Sequence, residues 1–349
     1  MAGSSSMLQP RLTGFLSTSD QLPPNYVRPV SDRPNLFDAD LSSDVSIPLV
    51  DLDGLHGLDR DKIVQEIGLA CQTDGFFQVK NHGIPEHVIE DMLHVAREFF
   101  RLPESEKLKS YSEDPLKTTR LSTSFNVNKE KVANWRDYLR LHCHPLEEFI
   151  EEWPTNPPSF RSLVGEYSTR ARGLVLTLLE AISESLGLEK DCIEKALGKQ
   201  AQHMAINYYP RCPQPELTYG LPGHTDPNAL TLLLQDQVSG LQVLRNGKWV
   251  AVHPIPGTFV VNIGDQIQVL SNGRCKSVLH RAVVNNSVER ISVPTFYCPS
   301  PDAEIVPAHQ LIDDQHPAIY RRFTYEEYYK RFWDHGLQSE SCLELFRAI

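Results

Sequence analysis

Apolar residues recur at three- and four-residue steps in some stretches of the chain and crowd into short β-prone runs in others. Asp59 to Gln72 has helical spacing, with Ile63, Ile67, Leu69 and Ala70 grouped towards one side. Pro85 opens a second helix whose buried stripe is Val88, Ile89, Met92, Val95, Phe99 and Phe100. Leu163, Tyr167, Ala171, Leu174, Leu178, Ile182 and Leu186 predict a long helix from Ser159 to Leu186. Short strands are expected at Ile47 to Leu52 and Gly75 to Val79. Glu104 to Val132 is polar, and its segment Thr118 to Phe125 reads as a loop or edge strand.

After about residue 200 the pattern shifts to short β-prone runs. These are Met204 to Tyr209, Leu230 to Gln235, Leu241 to Leu244, Trp249 to His253, Phe259 to Ile263, Ser277 to Val284 and Ile291 to Cys298. Turns such as Asn246-Gly247 and Asn272-Gly273 separate them, which indicates a sandwich or barrel. A last helix is expected at Tyr325 to Trp333. Helices followed by strands favour a mixed α and β fold with helices outside a β core, not a doubly wound parallel sheet. The first 45 residues read as an irregular arm draped over the body.

Composition narrows the function classes. The 349 residues carry 34 basic and 45 acidic side chains, for a net charge of −11. A nucleic-acid or anionic-membrane surface rewards a basic field, so both are disfavoured, although a local basic pocket is not. Seven cysteines, an odd number without a C-x-x-C pair, suit a reduced intracellular protein. No secretory signal and no bilayer-length apolar run is seen. The expectation is a cytoplasmic monomer, with nuclear entry open.

The informative chemistry is His224-Thr225-Asp226, followed by His280 after 53 intervening residues. In a strand, residues i and i+2 share a side, so His224 and Asp226 are expected to face one interior, with His280 on a neighbouring strand. Two imidazoles and one carboxylate form the facial triad of non-haem Fe(II) oxygenases. Most His-x-Asp pairs bind nothing, and His82, His142 and His144 are read as structural or near-site. Ten residues after His280 comes Arg290-Ile291-Ser292. An arginine fork beside a hydroxyl suits the distal carboxylate of 2-oxoglutarate, a clamp that a zinc or manganese cupin would not need.

Asn207-Tyr208-Tyr209-Pro210, His224-Thr225-Asp226, His280-Arg281 and Arg290-Ile291-Ser292 resemble the plant 2-oxoglutarate/Fe(II)-dependent dioxygenases. Gly75-Phe76-Phe77-Gln78-Val79 resembles their N-terminal region. The resemblance implies a double-stranded β-helix, or jelly roll, flanked by helices. Its divisions would be an arm at 1–45, a helical N-terminal region at 46–195, the jelly-roll core at 196–300 and a C-terminal extension with a helix at 301–349. It implies iron at His224, Asp226 and His280. Arg290, Ser292 and Tyr209 would hold the 2-oxoglutarate C5 carboxylate, and Asn207 would sit beside the iron-bound end. Fe(II), 2-oxoglutarate, O2 and ascorbate as an accessory reductant are the implied cofactors.

Asn25 to Pro34, Lys117 to Val127 and Asn134 to His142 are similar to the downy-mildew-resistance group, which resembles salicylate 5-hydroxylases. Several flavonoid oxygenases have lysine two residues before the Asn of Asn-Tyr-Tyr-Pro, where this chain has Ala205. The expected activity is hydroxylation of a small aromatic acid, salicylate at C5, with succinate and CO2 as co-products. Phe296 has the strand parity of Arg290 and is expected to face the ring, with Phe125 and Tyr138 as walls. Arg120 is the first choice for the salicylate carboxylate, with Arg136 and Arg140 behind it. The alternatives are a flavonoid oxidase (flavone synthase or flavanone 3-hydroxylase type) and a non-catalytic receptor on the same fold.

Overall fold

The structure is a computed structural model that describes residues 12, 21–34, 46–125, 130–337 and 341–348. Residues 1–11, 13–20 and 35–45 of the expected arm lie outside the described residues, as do Asn126 and Val127. Two sheets form a jelly-roll core with helices on one side. The larger sheet has eight strands in the order β1 (Leu49–Asp51), β2 (Phe76–Lys80), β10 (Phe259–Ile263), β7 (Leu230–Gln235), β12 (Arg290–Cys298), β5 (Ala201–Tyr209), β4 (Asp137–His144) and β3 (Thr119–Thr123). The smaller sheet runs β6 (Leu221–His224), β11 (His280–Ala282), β8 (Leu241–Arg245) and β9 (Lys248–Ala251). All but the β1–β2 pair are antiparallel in these two sheets. The 46–195 region, read as helical, therefore also supplies β1 to β4, half of the larger sheet.

Strand alternation gives the larger sheet two unlike faces. Leu139, Leu141, Ile206, Leu232, Leu234, Val261, Ile291 and Val293 are buried in one continuous core with the helices. The main ones are α1 (Arg60–Thr73), α2 (Glu86–Arg101) and α3 (Phe160–Ser185). The other face carries Tyr138, Arg140, His203, Ala205, Asn207, Ser292 and Phe296, which line internal cavities. Leu69 departs from the expected α1 stripe and is 62% exposed. Val64 and Cys71 extend the buried face away from Leu69, which at about 100° per residue lies opposite the centre of that face.

Two further helices frame the site: α4 (Asp265–Leu270), which periodicity did not reveal, and α5 (Tyr325–His335). Thr324 caps α5 by accepting from the Glu327 N–H. From the arm, Tyr26 meets Trp135 edge-on with ring centroids 5.1 Å apart. Leu22, Tyr26 and Trp135 share a buried cluster with Tyr209, so the arm covers the end of β5. No helix among the described residues is long and apolar enough to cross a membrane. All seven cysteines are free thiols.

Leu232 is fully buried on the helix-facing side. Leu232→Ala should cost about 2–5 kcal/mol of unfolding free energy, because the packed surroundings cannot collapse into the space. Chemical denaturation checks this.

Candidate active site

The chain brings His224, Asp226 and His280 together, with one ligand atom from each lying within 4.8 Å of the others. His224 ends β6 and His280 opens β11, and these two residues are direct cross-strand partners. Asp226 lies past the end of β6. The expected shared strand face is therefore not how the pair meets. The chain leaves the strand at Thr225, and the turn swings the carboxylate back between the imidazoles. Asp226 Oδ1 is 3.7 Å from Nε2 of each histidine.

Hydrogen bonds dictate which atoms face the cluster. His224 Nδ1 is 2.9 Å from the Pro222 carbonyl, and His280 Nδ1 is 3.1 Å from the Val278 carbonyl. A carbonyl only accepts, so each Nδ1 holds a proton, and Nε2 is the atom turned towards the cluster, a lone-pair donor in the neutral ring. Burial, with His280 alongside, pushes His224 down to about 3, so its ring is neutral. Burial works against the Asp226 carboxylate, but His280, His224 and two hydrogen bonds outweigh it and hold its pKa below the usual range. Those bonds come from the Thr231 hydroxyl at 2.6 Å and the Asn262 amide at 2.8 Å, both to Oδ2. Oδ1 is left facing the histidines.

Thr231 and Asn262 are cross-strand partners on β7 and β10, and sequence reasoning did not single them out. Nor did it single out Asp265, which accepts hydrogen bonds from Thr225 at 3.1 Å and from the Tyr328 hydroxyl of α5. Gly264 makes this assembly possible. A Cβ there would lie 2.0 Å from the Asn228 carbonyl oxygen, in the loop that follows Asp226. The legible signal for these residues was a polar Asn inside the apolar run Phe259 to Ile263, followed at once by Gly264-Asp265.

Two cavities adjoin the cluster. One, of about 80 Å³, is lined by all three ligand candidates and by Asn207, Tyr209, Arg290 and Ser292. Arg290 donates from Nε to the Val238 carbonyl and from Nη2 to Gln235 Oε1. Its guanidinium lies 5.3 Å from the Tyr209 ring centroid. Asn207 donates to the Ser292 hydroxyl and accepts from Arg136 Nη1, both at 3.3 Å. The second cavity, of about 130 Å³, is reached past His224 and Asp226. Phe125, Tyr138 and Phe296 line it, together with Arg136, Arg140, His203 and four aromatic residues of α5. Phe125 stacks on Trp333 of α5 at 4.7 Å and 8°.

Arg120 is the exception among the predicted site residues. It lies on the same sheet face, directly across from Arg140, but lines neither cavity. Its Nε donates to the Ser112 carbonyl and its Nη2 to Ser122. As an edge-strand residue it meets the neighbouring loop, while Arg140, one strand further in, reaches the cavity.

The donor set fits a divalent iron. Two imidazoles and one carboxylate converge, and they line a polar cavity that also holds Arg290. Residues 200–299 match the 2OG-Fe(II) oxygenase superfamily, and residues 47–159 match the family described as non-haem dioxygenase in morphine synthesis N-terminal. The chain belongs to the 2-oxoglutarate/Fe(II) oxygenase superfamily. It is 63% identical over 339 residues to Protein DMR6-LIKE OXYGENASE 2 of Arabidopsis thaliana, covering 97% of each chain. It is 60% identical over 338 residues to Flavanone 3-dioxygenase 2 of Oryza sativa subsp. japonica, covering 96% of this chain and 97% of the other. The crystal structure of JOX2 in complex with 2OG, Fe and JA superposes with a TM-score of 0.88 at 36% identity, covering 98% of both chains. This protein is a 2-oxoglutarate-dependent dioxygenase that uses Fe(II) and 2-oxoglutarate, and the receptor alternative falls.

Thr231→Val combined with Asn262→Leu should free Asp226 to rotate. Metal affinity of the apoprotein should fall roughly 10- to 100-fold, as for other removed supports of metal ligands. Competition between the apoprotein and a chromophoric chelator for Mn(II) measures this without turnover. Gly264→Ala should lower metal affinity as well as the melting temperature, because the Asn228 carbonyl must move.

Proposed function

We propose that this dioxygenase hydroxylates a small aromatic acid, salicylate at C5, giving 2,5-dihydroxybenzoate. One observation carries this reading. Arg140 lines a cavity of mostly aromatic and apolar groups that adjoins His224 and Asp226; its Nη2 donates to the Pro115 and Lys117 carbonyls, and its Nε is buried without a hydrogen-bond partner among the described residues. A buried guanidinium N–H without an acceptor costs free energy, and a carboxylate supplies the acceptor. Aromatic walls from Phe125, Tyr138, Phe296 and Trp333 suit one planar ring. The resemblance of Asn134 to His142 to the salicylate 5-hydroxylase group supports the same substrate.

In this reading His224, Asp226 and His280 hold Fe(II), which together with 2-oxoglutarate supplies the O2-activating redox chemistry. One oxygen atom of O2 enters succinate and the other the ring, with CO2 released from 2-oxoglutarate. Arg290, Ser292 and Tyr209 hold the distal carboxylate of 2-oxoglutarate, and Asn207 links that pocket to Arg136. The buried Asp226 side chain (4% exposed) and the apolar walls limit water near the reacting ring. No side chain is needed as a general acid or base.

A second reading, a flavonoid oxidase, is favoured by the name of the rice relative. Three fused or linked rings need more room than one, and the Phe125–Trp333 stack bounds the cavity at its half-buried side. Ala205 adds no cation for a flavonoid.

Anaerobic reconstitution with Fe(II) and 2-oxoglutarate, followed by air, should give 2,5-dihydroxybenzoate and succinate in equal amounts with salicylate. Turnover of naringenin in its place would select the second reading. Arg140→Leu should raise the KM for salicylate about tenfold or more, the loss of a charge-assisted bond, and leave the KM for 2-oxoglutarate unchanged. An unaltered salicylate KM removes Arg140 from substrate binding.

A further inference from the structure

His203 lies in the substrate cavity and has no part in the roles assigned so far. It sits on β5, with Phe296 of β12 as its cross-strand partner on one side and His142 of β4 on the other. Phe296 is in turn directly across from Thr231 on β7, the residue that donates to Asp226. One lateral row therefore runs Thr231, Phe296, His203, His142 across the site face. Adjacent strands are about 4.8 Å apart, so Thr231 and His203 are separated by about 10 Å at the backbone. A single aromatic ring lying over Phe296 fits between Thr231 and His203.

The imidazole of His203 makes no hydrogen bond among the described residues. Its contact is with the His142 ring, centroid to centroid at 4.0 Å. Burial, with His142 and Arg140 beside it, keeps its pKa well below the usual imidazole value. A neutral imidazole offers one N–H and one lone pair, which match a hydroxyl group that both donates and accepts. A carboxylate only accepts, and Arg140, one residue pair along the same face, is the better partner for it. The cavity therefore separates two recognition elements by chemistry.

We propose that His203 holds the phenolic hydroxyl of the substrate and thereby selects the ring carbon that is oxidised. This rests on the salicylate reading. The carbon diametrically opposite the hydroxyl is the one presented towards His224 and Asp226, and in salicylate that carbon is C5. The carboxylate, ortho to the hydroxyl, then lies beside His203, on the Arg140 side. Anchoring by the carboxylate alone would instead present C4, the carbon para to it.

The test compares wild type, His203→Leu and His203→Gln on salicylate and on benzoate, with products resolved by chromatography. His203→Leu should raise the salicylate KM about tenfold, the loss of one hydrogen bond. It should also replace the single 2,5-product by a mixture of dihydroxybenzoates and erase the preference for salicylate over benzoate. His203→Gln, which keeps a donor and an acceptor, should restore most of the 2,5-product and guards against a folding defect in the leucine variant. A role in packing alone would leave the isomer ratio unchanged, so an unchanged ratio and KM in His203→Leu overturns the assignment. If wild type leaves salicylate unoxidised, the substrate reading fails and the assignment falls with it. If wild type makes the 2,5-product and the variants do too, only the role of His203 fails.

Discussion

A buried carboxylate with its two oxygens assigned to different partners sets the geometry of this protein. Asp226 Oδ2 accepts from Thr231 and Asn262, and Oδ1 faces His224 and His280. The two donors are cross-strand partners, so the assignment depends on the register of β7 against β10. A one-residue slip of either strand would turn its donor towards the helices and leave the buried carboxylate short of a partner. The sheet register and the site geometry are therefore one constraint. Gly264 belongs to it, because only a residue without a side chain lets β10 lead into α4 against the Asn228 carbonyl. Free energy needed to bury the carboxylate comes from bonds that also fix its orientation.

The larger sheet separates stability from chemistry by face. Its helix-facing side is a continuous aliphatic core. Its inner side holds polar and aromatic groups around two cavities that share His224 and Asp226. Arg290 and Ser292 lie on the side of the smaller cavity, and Arg140 and His203 on the side of the larger one. The chain carries a net charge of −11, yet cations concentrate where small acids would enter. Guanidinium groups lining these cavities would act on a bound acid at contact distance, whereas the diffuse surface charge is screened over a Debye length of about 8 Å at physiological salt. The acidic surface and the basic interior are compatible for that reason.

Much of this was legible in the sequence because the motifs are short and local. His224-Thr225-Asp226 and Arg290-Ile291-Ser292 each place their residues within three positions. The parity of Phe296 with Arg290 follows from an unbroken strand. The legible part ended where geometry departs from regular elements. Asp226 meets His224 through a turn past the strand end, not through strand alternation. β4 looked like a polar charged stretch because its inner face holds Tyr138, Arg140 and His142, while Leu139, Leu141 and Cys143 alternate towards the core. Arg120 and Arg140 are equivalent by composition, and only their order across the sheet makes one an edge residue and the other a cavity wall. Thr231 and Asn262 are far apart in sequence, and their shared target becomes visible only with the strand register.

The C-terminal helix joins the two halves of the site. Tyr325, Tyr329 and Trp333 recur every four residues on α5 and form one aromatic ladder, with centroids 5.6 and 5.9 Å apart. All three line the larger cavity. Tyr328, one residue off that ladder, donates to Asp265, which also holds Thr225 between the two ligand candidates on β6 and its turn. Burial raises Asp265 to about 6, and the hydroxyls of Tyr328 and Thr225, which donate to its carboxylate, partly offset that rise. A shift of α5 to admit a larger ring would have to move Tyr328 with Trp333, because both sit on one rigid helix. Cavity shape and the position of the His224–Asp226 turn are thus mechanically coupled. A group that leaves the Phe125–Trp333 stack closed also leaves the Tyr328–Asp265–Thr225 contacts beside Asp226 in place.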